Sequence, residues 1–83
     1  MSNTEILQQE YNELRNVLDA CKLALSQLTK NHEALEAIAP DPAYNAIFVA
    51  KEAECNYFIA EAEAKLETLK NEIERLESQA RDN

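Results

Sequence analysis

Glycine and tryptophan are missing from this 83-residue chain, and it has only two prolines. Without glycine the usual residue for tight hairpin turns is gone, so a β-rich fold is not expected. Cysteine is scarce as well. Cys21 and Cys55 form neither a CxxC pair nor a disulfide framework. They read as small buried hydrophobes in a reducing compartment. No apolar run approaches the roughly 20 residues needed to cross a bilayer. The first ten residues, MSNTEILQQE, lack the basic start and apolar h-region of a secretory signal. The expected location is cytoplasmic, or the host cytoplasm if the chain is phage-encoded.

Positive charge is also short: 8 basic residues stand against 16 acidic ones, a net of −8. Such a field repels phosphate backbones and anionic lipid surfaces, so neither direct nucleic-acid binding nor membrane association is expected. A basic protein partner is compatible with it. Its first consequence is solubility, because acidic surfaces keep small helical proteins apart.

What remains is dominated by Ala, Leu, Glu, Lys, Gln and Arg, the strong helix formers, and an all-α fold follows. Ser2 and Glu5 have the spacing of a capping box and open a first helix of about residues 3–38. Tyr11, Leu18, Leu25 and His32 fall at one heptad core position, and Leu7, Leu14, Cys21, Leu28 and Leu35 at the other. That unbroken alternation of three and four predicts a coiled-coil seam. Pro40 pushes Ala39 out of helical geometry. Asp41 followed by Pro42 is an N-cap carboxylate with proline at the first helical position. The corner therefore occupies residues 39–42, and a second helix runs from about 42 to 80.

The second helix has its own heptad, with Ile59, Leu66, Ile73 and Ala80 at one core position and Phe48, Cys55, Ala62, Leu69 and Leu76 at the other. Each arm is about 55 Å long at 1.5 Å per residue. Arms of equal length joined by a short connection predict an antiparallel two-helix coiled-coil hairpin, with residues 1–83 as a single unit. Glu61–Lys65, Lys70–Glu74 and Glu77–Arg81 stand four apart and describe a solvated face.

The stretch AYNAIFVAKEAECNYFIAEA, residues 43–62, holds four of the five aromatic residues and is apolar on more than one face. Ala46, Ala50, Ala53, Tyr57, Ala60 and Ala64 recur at helical spacing on the side away from the seam. Ile47, Val49 and Phe58 flank the seam and widen the apolar surface. Alanine alone is only a good helix former. Alanine in the company of Ile47, Tyr57 and Phe58 predicts a contact surface. A chain near this length with one seam commonly oligomerises, and a twofold homodimer would form a four-helix bundle near the corner.

Little in the sequence suggests chemistry. His32, the one histidine, falls on the seam within reach of Glu52 or Cys55, depending on register. A Cys–His pair can act as nucleophile and base, and Cys, His and Glu can hold zinc. A polar seam residue that fixes register is the simpler role. No glycine-rich loop cradles phosphate and no second histidine completes a metal set, so neither a catalytic residue, a metal site nor a cofactor is expected. The sequence therefore reads as a non-enzymatic protein-interaction module. It would self-associate or dock on a protein partner through the corner-proximal half of its second helix. The alternative is a small acidic inhibitor, of the kind phages encode. Glu61, Glu63 and Glu67 would then occlude a basic nucleic-acid-binding surface on a host defence or nucleic-acid-processing complex.

Overall fold

The computed structural model describes residues 2–82, and two helices take up nearly all of them: α1 spans Asn3–Ile38 and α2 spans Pro42–Asp82. Met1 and Asn83, the ends of the expected hairpin, lie outside the described residues. No strand occurs among the described residues. Ser2 caps α1, its Oγ accepting the Glu5 N–H at 3.2 Å. At the other end the Ala39 N–H closes the last turn on the Leu35 carbonyl at 2.8 Å, and Pro40 prevents continuation. Asp41 opens α2: its Oδ1 accepts the N–H groups of Ala43 and Tyr44 at 3.1 and 3.2 Å. Two donors that the first helical turn leaves unpaired are thereby satisfied by one carboxylate.

Three contacts across the seam fix the direction of the arms. Lys22 Nζ lies 3.7 Å from Glu63 Oε1, Thr29 Oγ1 donates to Glu52 Oε2 at 3.2 Å, and His32 Nε2 is 2.8 Å from Asn45 Oδ1. As residue number rises along α1 its partner's number falls along α2, so the helices are antiparallel. The product is a rod of 65 × 16 × 15 Å.

The best-buried apolar residues are Leu18 on α1 and Ala62, Leu69 and Ile73 on α2. All four lie in the half of the rod distant from the corner. Leu7, Tyr11, Leu14, Cys21, Leu25, Ile59, Leu66 and Leu76 extend the strip half-buried. In the corner half only His32 is buried, beside a half-buried Phe48. No side chain among the described residues is completely shielded from solvent.

The seam departs from the strict heptad in that half. Leu28, Leu35 and Cys55, expected inside, are exposed, and Thr29 and Glu36 are half-buried in place of the two leucines. Ala80, expected inside at the far end, is exposed too. The physical reason lies in the helix repeat. Seven residues of a straight α-helix fall about 20° short of two full turns, so a heptad stripe slides round the helix unless the pair supercoils to hold it. From Leu7 to Leu35 that drift sums to most of one residue's rotation. The inward positions accordingly become 25, 29, 32 and 36.

Surface charges settle differently from the four-apart pairing expected of them. Lys51 meets Glu54 at 3.5 Å and Arg75 grips Glu72, its Nε donating to Oε2 at 3.0 Å. Among the described residues Glu61–Lys65, Lys70–Glu74 and Glu77–Arg81 do not close as ion pairs. Exposed pairs gain too little in water to immobilise two long side chains. The Arg75 hydrogen bond, more than its charge, holds the Glu72 carboxyl below its ordinary range despite partial desolvation. What the pair contributes is therefore present above the ordinary glutamate range and is lost as acid protonates the carboxyl.

The distal core generates a direct test. Leu18→Ala should lower unfolding stability by about 2–5 kcal/mol, the usual result of truncating a buried leucine. Leu23→Ala, on a residue 72% exposed, should change it by less than about 0.5 kcal/mol. Urea unfolding followed by circular dichroism measures both, and equal losses would place the seam elsewhere.

Candidate functional site

Around α1, at about 100° per residue, Leu28 and Leu35 lie to one side of His32 and Thr29 lies to the other. The rod therefore has two unlike flanks. On the Thr29 side a shallow hollow is walled by Lys22, Ser26, Lys30, Glu33, Glu52 and Asn56. Farther from the corner the same side carries Arg15, Asp19, Glu63 and Glu67. This flank has a polar rim along its length, above a floor of Tyr11, Leu18, Leu25, Ile59 and Leu66. On the other side, in the corner half, Leu28 and Leu35 from α1 face Tyr44, Phe48 and Cys55 from α2. These five, with Leu25, His32, Asn31, Lys51 and Glu52, line an open hollow of about 220 Å³.

The hollow exists because of how His32 is packed. Its ring stacks on Phe48, with centroids 4.1 Å apart and planes 13° from parallel, and Tyr44 tilts against it at 5.6 Å. Both aromatics come from the opening turns of α2, which Asp41 holds in place. They cover the imidazole, leaving Leu28 55% and Leu35 48% exposed on the flank beside them. Asn45 Oδ1 lies 2.8 Å from Nε2 and the Glu36 carboxylate 3.8 Å from it. With acceptors facing Nε2, that nitrogen donates to Asn45. Nδ1 is buried without a partner.

His32 thus meets Asn45 and Phe48, nearer the corner than Glu52 or Cys55. Glu52 accepts from Thr29 instead, and Cys55 is an exposed free thiol on the flank. Cys21, the other free thiol, is half-buried in the seam. Among the described residues no group of three or more His, Cys, Asp or Glu is placed to hold a metal ion, and no helix is long and apolar enough to cross a membrane.

The interface residues read from the sequence divide between two faces. Ala46, Ala50, Ala53, Tyr57, Ala60 and Ala64 are all exposed on the side of α2 turned from α1, and Tyr57 is 68% exposed. Ile47 and Phe58 lie round the helix at the edge of the apolar flank, close to the line of Lys51. The acidic set divides too. Glu63 and Glu67 share the polar flank with Arg15 and Lys22, and Glu63 faces Lys22 directly. Glu61 points about 200° away from Glu63 around the helix. The structure therefore does not gather these three carboxylates on one face.

Leu28, Leu35, Tyr44 and Cys55 are surface residues that the heptad reading left out of the contact surface. The signal for them was in the sequence: Thr29 and Glu36 follow the two leucines, and the drift of a long heptad turns such polar neighbours inward. No family model matches the chain, and none of the curated proteins or solved structures compared with it matches either.

The orphaned nitrogen makes the role of His32 measurable. His32→Leu removes a buried unpaired acceptor and keeps apolar volume against Phe48, so stability should be unchanged or rise by up to about 1 kcal/mol. Asn45→Ala strips the partner from Nε2 and should cost about 1 kcal/mol. In the double variant the Asn45→Ala cost should vanish. A large loss in His32→Leu, with Asn45→Ala silent, would contradict packing as its role.

Proposed function

We propose that this chain is a non-enzymatic interaction module, a helical hairpin that packs against other helices through its corner-proximal half. It either self-associates, as a dimeric four-helix bundle, or docks on a helical protein partner. One observation carries the reading: apart from the half-buried Leu25, Phe48 and Ile59, the bulky apolar side chains of the corner half are on its outside. Leu28, Leu35, Tyr44, Ile47, Val49, Tyr57 and Phe58 are all exposed there, while the buried apolar core lies in the distal half. Contiguous exposed apolar surface on a small protein usually marks a contact site.

Energetics supports the same reading. A chain of this size with one seam rarely draws more than about 3–5 kcal/mol from its core. Burying Tyr57 or Phe58 against a partner helix adds about 1.5–3 kcal/mol each. Such aromatics are the side chains that anchor interfaces, and the alanines between them let a helix backbone come close.

A photocrosslinking amino acid, p-benzoylphenylalanine, placed in cells at Leu28, Ala53 or Tyr57 should give adducts of discrete mass, whether to a second copy or to another protein. The same group at Glu10 or Gln79 in the distal half should give none. No adducts, or equal adducts from both halves, would remove the corner half as a docking region.

A further inference from the structure

We infer that the apolar flank is covered by a second copy of this chain, docked about a twofold axis that crosses the rod near Asn31 and Lys51. The inference rests on the proposed interaction role and narrows it. The occupied surface is the flank bearing Leu28, Leu35, Tyr44 and Phe58 rather than the outward alanine face.

Charge is the first argument. A chain of net −8 meets a copy of itself at an electrostatic disadvantage unless the contact is neutral and the remaining charge is kept apart. The flank meets the first condition. Its polar residues are Asn31, the buried His32, Lys51 and Glu52, one cation against one carboxylate, and the Lys51 ammonium also lies 3.5 Å from Glu54. The distribution of acids meets the second. Between Ala20 and Ala60 three lysines stand against five acids, whereas the rest of the chain carries eleven acids and five bases. An antiparallel overlap of corner halves sends the acidic arms to opposite ends, separated by far more than the Debye length of about 8–10 Å. A parallel pairing would lay those arms side by side.

Self-complementarity is the second argument. A twofold contact requires each residue to meet a suitable counterpart at the mirrored position. Tyr44 and Phe58 lie seven residues to either side of Lys51, and Leu28 and Leu35 lie three before and four after Asn31. Rotation about an axis at that level therefore brings Phe58 to Tyr44 of the second copy and Leu28 to its Leu35. Aromatic meets aromatic and leucine meets leucine, twice over.

Area is the third. Leu28, Leu35, Tyr44, Ile47 and Phe58 are each 45–60% exposed. Together they present roughly 400 Å² of apolar surface per copy, taking the usual side-chain areas. Dimer interfaces are about 65% apolar, so covering both copies implies roughly 1,200 Å² in total, the lower end of the range for specific, stable contacts.

Sedimentation equilibrium and small-angle X-ray scattering on the whole chain test the inference, with circular dichroism checking helix content. The wild-type chain should have twice the mass of one chain and a length of roughly 100 Å, two rods overlapping by about twenty residues at 1.5 Å each. Leu28→Glu with Phe58→Glu, both at exposed positions, should keep the helices and weaken the dimer about 100-fold or more. Ala50→Glu with Ala60→Glu, on the outward face, should leave the dimer constant within about threefold. A monomeric wild type would overturn the second copy, while crosslinks from the corner half to a different protein would still uphold the interaction role. A dimer only 65 Å long, or one split by the alanine-face pair and not by the flank pair, would overturn the antiparallel flank contact.

Discussion

Two helices laid side by side share a single strip of contact, and each can turn only about a third of its circumference away from water. Every uneven feature of this hairpin traces to that limit. In the distal half the chain comes closer to it: Leu18, Ala62, Leu69 and Ile73 fill the strip, and the large apolar side chains left exposed are Ile6 and Val17. In the corner half α2 carries more apolar bulk than one strip can take. Phe48 goes inward, and Tyr44, Ile47, Tyr57 and Phe58 are left outside. The two halves share one backbone geometry, so the difference is written in side chains alone.

The hairpin itself was legible because its signals are local and agree with one another. Ser2, Asp41 and the two prolines act within a turn of where they sit, and each stops or starts a helix by satisfying or removing a particular backbone donor. A long heptad on each side of a short corner then leaves antiparallel packing as the natural outcome. The seam in the corner half was less legible because it depends on an accumulated angle. Near Leu7 a heptad position and an inward position coincide. By Leu28 and Leu35 they no longer do, and a reading that keeps a constant repeat assigns the wrong neighbour to the inside. Which aromatics would reach His32 was equally a matter of register. The pairings Lys22–Glu63, Thr29–Glu52 and His32–Asn45 mark it.

His32 shows how a polar residue can shape a surface without any chemistry of its own. A leucine at that position would pack against α2 without asking for particular neighbours. The imidazole asks for a flat ring beside it and an acceptor at its edge, and the first turns of α2 supply both in Phe48 and Asn45. Meeting that demand anchors the start of α2 on His32. Leu28 and Leu35, on either side of it along α1, are left on the rim. The buried nitrogen that finds no partner is the cost of this arrangement. Drift of the heptad turns the two leucines outward, and the His32 packing sets which turns of α2 they sit beside.

Charge then decides what an exposed apolar rim can do. An acidic surface opposes indiscriminate clustering of the hairpins, because any contact that brings distal arms together concentrates carboxylates. The acids are thinned near the corner, and Lys51 and Glu54 neutralise each other at the edge of the rim. In the proposed pairing, attraction is confined to a region of about twenty residues on each helix, and repulsion governs the remainder. A uniform charge would have made the rim either inert or a site of aggregation. Because the two properties are segregated along one rod, the proposed contact at the corner carries a preferred direction: arms pointing apart.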